Sequence, residues 1–212
     1  MDPPPPPPSG PPAGPPGGSV QPGWPQPQSS SRRWLWVGVA LAVLAALVVV
    51  GLFVVGKKST PTSTASTFTD PTSHFSATYE HKPVEDDQTQ AVGTRSLKEV
   101  LWTDTVDSNT AEIVGYSDLP ADLNFPAPNA ALDGSVNGEV TNSKGTLVSK
   151  TFGTYQGFHS VDALISASGG YIETRTVLAG RTLYIVVVTS QSNPPELFNG
   201  FANSLHIINH AP

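Results

Sequence analysis

The sequence contains no cysteine. Disulfide bonds, zinc sites built on thiolates and cysteine nucleophiles are therefore excluded, and so is membrane attachment through a lipid-modified cysteine. Charged residues make up only 13% of the 212 residues. From Ser59 onward there are 7 Lys and Arg against 16 Asp and Glu. Because phosphate contacts need clustered cations, this acidic part is not expected to bind nucleic acid.

The motifs that mark common active sites are also missing. The sequence has no Gly-rich phosphate loop, no GxGxxG, no GxSxG and no HExxH. We therefore predict that the protein is not an enzyme and that it has no catalytic, cofactor-binding or metal-binding residues. An envelope hydrolase built from scattered polar residues is the least favoured alternative.

The run HSVD places His159, Ser160 and Asp162 close together. A nucleophile and its base must share a hydrogen bond, but consecutive strand residues point to opposite faces. We therefore do not expect His159 and Ser160 to form a catalytic pair.

Two histidine pairs are candidate metal ligands. His206 and His210 would lie about 13 Å apart in an extended chain, too far to share one ion. His74 and His81 have the same problem, and the sequence offers no third ligand nearby.

Acidic residues occur in short runs next to loop signals. Residues 85–87 (EDD), Asp104 and Asp107 are expected to be solvated charges rather than hydrolytic carboxylates or a calcium site. Glu173 and Arg175 lie two apart on one strand and are expected to form a surface ion pair, worth about 0–1 kcal/mol.

An uncharged apolar run fills residues 34–55. As a helix at about 1.5 Å per residue it spans roughly 33 Å, enough for a hydrocarbon core of about 30 Å. We predict a transmembrane helix, since the h-region of a cleaved signal is about 7–15 residues long. The small residues Gly38, Ala42 and Ala46 recur every four positions and suggest weak homodimerisation.

The remaining chain divides into three parts. Residues 1–33 hold most of the prolines and are predicted to be a disordered cytoplasmic tail. Residues 56–67 are predicted to be a flexible linker, and 68–210 a domain outside the cytoplasm. Arginines 32–33 and lysines 57–58 balance each other, so the flanking positive charges do not set the orientation. We predict a single-pass plasma-membrane protein with its N-terminus in the cytoplasm, because the N-terminal tail is short and the C-terminal part is long.

Alternating apolar residues predict strands over most of the domain. They cover residues 74–80, 94–106, 110–119, 146–154, 158–168, 171–178 and 181–190. Leu132, Val136 and Val140 form one stripe of a predicted helix at 129–141, and a second helix is predicted at 195–204. The histidine-led segment after that helix is expected to add a strand edge.

The stretch RTVLAGRTLYIVVVTS at 175–190 predicts the centre of the sheet. With a two-residue turn at Ala179–Gly180, Leu178 would face Arg181 and Thr176 would face Leu183. The second strand is apolar on both faces, which predicts a central strand covered on both sides. The fold is therefore expected to be α+β: an antiparallel β-sheet with a helix on each face.

The segments GGYIETRTVLAGRTLYIVVVTS and LFNGFANSLHI, preceded by GYSDLP and LDGSVNGEV, resemble bacterial envelope domains of the PsbP-like α/β/α sandwich. That superfamily includes an extrinsic protein of photosystem II and mycobacterial lipoproteins. The resemblance implies a non-catalytic binding or assembly module with no site residues to transfer. We therefore predict a membrane-anchored envelope module for an unknown protein, lipid or cell-wall ligand. The alternative is a signalling or adaptor protein whose proline-rich tail recruits a cytoplasmic partner.

Overall fold

The computed structural model describes residues 1, 65–72, 74–92, 95–121, 127–192 and 195–208. The predicted transmembrane helix at 34–55 lies outside these residues, as do the proline-rich tail beyond Met1, most of the linker, and Gly38, Ala42 and Ala46. In the part of the chain that is described, no helix is long and apolar enough to span a membrane.

The described elements follow one another along the chain as short strands interrupted by two helices. In order they are β1 (Ser66–Thr69), β2 (Phe75–Tyr79), β3 (Val84–Val92), β4 (Arg95–Thr105), β5 (Thr110–Asp118), α1 (Pro128–Ser143), β6 (Thr146–Tyr155), β7 (Phe158–Ala167), β8 (Gly170–Ala179), β9 (Thr182–Ser190), α2 (Pro195–Ser204) and β10 (His206–Ile207).

The strands form two sheets. Seven of them make an antiparallel sheet in the order β3-β4-β5-β9-β8-β7-β6, and the rest make a small sheet in the order β1-β2-β10. A mostly antiparallel sheet with two helices confirms the predicted α+β class. The small second sheet was not predicted, although the strand around Phe75 and the short strand at His206 were.

Strand β9 lies at the centre of the large sheet, and all nine of its residues are buried. Its side chains alternate between two hydrophobic clusters. One contains Ile185 and Val187 with the apolar stripe of α1; the other contains Val186 and Val188 with β2 and α2. The predicted central strand, covered by one helix on each side, is confirmed.

The turn before β9 is one residue later than predicted. Ala179 pairs with Thr182 and Leu178 with Leu183, so the turn residues are Gly180 and Arg181. Gly180 has φ +59°, which only glycine adopts without strain at the first position of a type II′ turn. The predicted facings of Leu178 with Arg181 and of Thr176 with Leu183 were therefore wrong.

The turn before β8 also contains a glycine with positive φ. Ala167 pairs with Gly170, so the turn residues are Ser168 and Gly169. Gly169 takes a positive φ of 101°. A Cβ on Gly170 would instead collide with the carbonyl of Ser190, so that glycine permits a close approach of two strands.

Two elements lie where loops or linker were expected. Residues 85–87 belong to β3, an exposed edge strand rather than a loop. Strand β1 begins at Ser66 and pairs with β2. Its first two residues therefore overlap the end of the segment 56–67, which was predicted to be linker.

Candidate functional site

The three polar residues of HSVD all lie on β7. His159 is exposed, whereas Ser160 is buried and points to the opposite face. The Asp162 carboxylate is occupied by Arg175, whose Nε and Nη2 lie 2.8 Å from its two oxygens. His159 and Ser160 therefore point to opposite faces of β7, as the sequence predicted.

The predicted ion pair between Glu173 and Arg175 was wrong. Arg175 is opposite Asp162 in the β7–β8 register, and directly opposed residues are closer than residues two apart on one strand. Its Nη1 lies 2.9 Å from Asn203 Oδ1 in α2, and its guanidinium covers the Tyr155 ring at 4.7 Å. Arg175 is therefore a buried link between the sheet and α2.

The histidines that the structure describes do not converge on a metal site. His74 precedes β2 and His81 follows it, while His206 is exposed on β10 and His210 lies outside the described residues. The described residues contain no group of three or more His, Cys, Asp or Glu placed to hold a metal ion.

The His81 cluster consists of Glu80, His81, Asp104 and Glu112. Asp104 is only 3% exposed, and its carboxylate accepts the backbone N–H of His81 at 2.7 Å. The His81 Nδ1 lies 3.1 Å from its other oxygen. The expectation that Asp104 is solvated was therefore wrong, whereas Asp107 does lie exposed in the β4–β5 turn.

Glu112 is the most perturbed acid of this cluster. It lies directly opposite Asp104, and burial raises its pKa to about 7, with further contributions from the charges of Asp104 and Glu80. Its Oε2 is buried without a hydrogen-bond partner among the described residues. The cluster can therefore take up or release a proton near neutral pH.

The His74 cluster, made of Asp70, Thr72, His74 and Tyr116, occupies the other end of β2. Asp70 accepts hydrogen bonds from the Thr72 hydroxyl, the His74 backbone N–H at 3.2 Å and the Trp102 indole at 3.2 Å. His74 stacks on Tyr116 with 4.1 Å between ring centroids. Because several donors already surround Asp70, the cluster serves to anchor the chain before β2 to the large sheet.

A third polar group lies on the opposite face of the sheet. Glu139 of α1 is fully buried, and its Oε1 accepts a hydrogen bond from the Thr174 hydroxyl at 3.4 Å. Ser135, one turn earlier, contacts Thr176 at 3.3 Å. Burial raises the pKa of Glu139 to about 8, so this carboxyl is protonated at neutral pH.

Sequence reasoning missed these acids although two signals were present. A hairpin turning at residues 107–109 pairs Asp104 with Glu112. Leu132, Ser135 and Glu139 share the helix face of the apolar stripe, at spacings of three and four residues. Neither pattern reveals that the facing strands are buried, and this burial raises the pKa of Glu112 and of Glu139.

The described clusters fasten layers of the fold to one another. The His74 and His81 clusters hold β2 on the large sheet, Arg175 holds α2, and Glu139 joins α1 to Thr174 of β8. The two edge strands of the large sheet, β3 and β6, instead carry mostly exposed side chains among their described residues. The edge strands and loops are therefore the candidate interaction surface.

No family model and no curated protein matches the sequence. Among solved structures, the chain is similar to cyanobacterial PsbP (CyanoP) from Synechocystis sp. PCC 6803, with a TM-score of 0.50 and 11% sequence identity. The similarity covers 73% of this chain and 98% of that one. At this identity the likeness shows the fold alone. The domain therefore has a PsbP-like fold, which confirms the resemblance inferred from its sequence.

Proposed function

We propose that the protein is a membrane-anchored, non-enzymatic binding or assembly module of a bacterial cell envelope. The observation that carries the proposal is the combination of a 22-residue uncharged segment, residues 34–55, with a separate PsbP-like domain after it. A helix of that length matches the hydrocarbon core of a bilayer. The domain would then be held at the membrane surface by residues 56–64.

The packing of the domain supports binding rather than catalysis. Both faces of its large sheet are filled by two hydrophobic clusters, one under α1 and one under α2 and β2. Among the buried ionisable groups, Asp104 contacts His81, Arg175 contacts Asp162, and Glu139 contacts the Thr174 hydroxyl. A ligand would therefore bind at strand edges and loops, where contacts give recognition without a chemical step.

Membrane anchoring and orientation can be tested by cysteine labelling because the chain has no native cysteine. Single cysteines are placed at Ser9 and Ser192 and exposed to a membrane-impermeant maleimide in intact cells. We expect labelling of Ser192→Cys only, with Ser9→Cys labelled after lysis. Extraction of the full chain by alkaline carbonate would contradict the anchor, and labelling of Ser9→Cys alone would contradict the orientation.

The ligand can be identified by photo-crosslinking in intact cells followed by mass spectrometry. A photoreactive residue at Thr154 on β6 samples one edge of the sheet, and one at Thr89 on β3 samples the other. A specific protein, lipid or glycan adduct at either position supports a binding module. Loss of function on replacing Ser160, His159 or Asp104 singly, with folding intact, would favour a hydrolase instead.

The six consecutive prolines at 3–8 favour one second function. A preformed polyproline helix can dock into an aromatic-lined groove, so the tail could recruit a cytoplasmic adaptor partner. Deleting residues 1–31 should then abolish activity in a complemented deletion strain. The binding-module proposal expects little effect of that deletion.

A further inference from the structure

The two edges of the large sheet differ in how well they are protected. Strand β3 carries three consecutive exposed acids at residues 85–87, and such charges oppose pairing with another strand. Strand β6, with the sequence TLVSKTFGTY, has a single charged residue, Lys150. Most of β6 is exposed, and within the described part of the chain only β7 pairs with it.

The charge on β6 is already balanced within the domain. Lys150 forms an ion pair with Asp133 of α1, and its Nζ lies 5.5 Å from the centre of the Phe152 ring. Phe152 itself is 39% exposed, one of the few large apolar side chains so exposed among the described residues. The outer edge of β6 therefore carries no unbalanced side-chain charge and has one exposed aromatic side chain near its middle.

The register with β7 limits which part of β6 can pair regularly. A bulge interrupts it between Leu147 and Ser149, whereas pairing is continuous from Ser149 to Tyr155. Bulges discourage edge pairing, so only this seven-residue segment is suited to accept a further strand. Phe152 lies at its centre.

We propose that β6 pairs with β6 of a second copy of this chain, antiparallel, about a two-fold axis at Phe152. This register places Phe152 against its own copy and Lys150 against Thr154 of the other chain. It avoids opposing like charges, which would destabilise a strand pair. Each open edge would gain a partner, and the two sheets would join into one continuous sheet.

The occupant is a second copy because the segment is self-complementary. Its only large exposed apolar group lies on the proposed axis, where the same group meets it. A seven-residue strand pair is small beside a standard interface of about 1,600 Å², so pairing should be weak in dilute solution. The proposed membrane anchor would raise the local concentration of copies and favour pairing, but the contact itself does not require it.

The test is crosslinking of the full chain in membranes of an expression host. Cysteine at Thr151 would lie about 7–8 Å from its copy across the axis, within reach of a short bismaleimide. We expect crosslinked dimer from Thr151→Cys, and about tenfold less when Phe152→Asp brings two carboxylates face to face. A matched pair on the other edge, Thr89→Cys with and without Val84→Asp, should give little dimer in either form.

Variants at Thr154 test the proposed pairing of Lys150 with Thr154 of the other chain. They provide this test even if Phe152→Asp fails to fold. In the Thr151→Cys background, Thr154→Lys should reduce the crosslinked dimer because it faces Lys150 of the other copy. Thr154→Glu should preserve or increase it. Circular dichroism of each purified chain controls for folding.

Three results would overturn the proposal. They are equal dimer from both edges, no response to the charge changes in folded chains, and a crosslink to another protein in place of a second copy. Carbonate extraction of the same membranes keeps the outcomes separate. A chain released by carbonate that still crosslinks through Thr151→Cys would refute the anchor and support the strand pairing.

Discussion

The buried carboxyl of Glu139 should make the stability of the domain depend on pH. Its pKa is about 8 in the folded protein, raised mainly by burial, against about 4.5 for an ordinary glutamate. Between these values the folded state retains a proton that the unfolded chain has released. The free energy of unfolding should therefore fall by about 1.4 kcal/mol per pH unit from this group alone.

The sign and size of the effect follow from the raised pKa. The contribution of Glu139 is fully present below about pH 4.5 and is lost as the pH rises through about 8, a total of roughly 5 kcal/mol. Glu139→Gln cannot titrate, so it removes this dependence. The variant should be less stable than the wild type at acid pH, by about 1–2 kcal/mol for the imperfectly paired amide, and more stable above pH 8.

The measurement is urea unfolding of residues 65–212 between pH 5 and pH 10. Trp102, buried in the domain and the only tryptophan of this fragment, reports unfolding by fluorescence. The difference between wild type and Glu139→Gln isolates this group from other titrating acids such as Glu112. A difference that stays constant across the pH range would refute the reasoning.

A second variant tests the cause of the shift. The hydrogen bond from Thr174 lowers the pKa of Glu139 and so partly offsets the effect of burial. Thr174→Val should therefore keep the pH-dependent slope and extend it to higher pH. A slope that ends at lower pH would show that the Thr174 hydroxyl favours the protonated form of Glu139, and would contradict the stated role of this hydrogen bond.

The other predictions concern stability and can be checked by the same unfolding assay. Val187→Ala should cost about 2 kcal/mol, because it opens a cavity in the centre of the sheet; an unchanged midpoint would contradict the buried central strand. Gly180→Ala should cost about 1 kcal/mol through its positive φ, whereas Gly200→Ala in α2, also with open space around its Cβ, should stabilise by about 0.5–1 kcal/mol. Equal effects of the two changes would contradict the turn geometry. Asp162→Asn should cost about 1–3 kcal/mol by removing the anionic partner of Arg175, and an unchanged stability would show that the pair is dispensable.

The elements with a strong local period were predictable from the sequence. The run LYIVVV at 183–188 is apolar on both faces, and only a strand covered on both sides accommodates that pattern. The stripe Leu132, Val136 and Val140 defined α1 in the same way. Local spacing was enough to predict these two elements, because the spacing of nearby residues along the chain determines which side chains lie on the same face of a helix or strand.

Turn register was less predictable because it depends on which of the two turn positions Gly180 occupies. Ala179–Gly180 and Gly180–Arg181 are both reasonable two-residue turns, and they differ by a shift that changes every facing pair. The structure selects Gly180 as the first turn residue. For Gly170, contact with Ser190 on β9, rather than a turn, is the reason for the missing side chain.

By itself the sequence determined the order of the main strands and helices, the apolar central strand, the absence of thiol chemistry and the uncharged segment at 34–55. These properties depend on composition and short-range periodicity. Only the tertiary structure decided that Asp104 and Glu139 are buried and that Arg175 pairs with Asp162. It alone also placed β2 across the sheet with a histidine at each end. Such contacts join residues far apart in the chain, and a carboxyl's pKa depends on the solvent that those distant elements exclude.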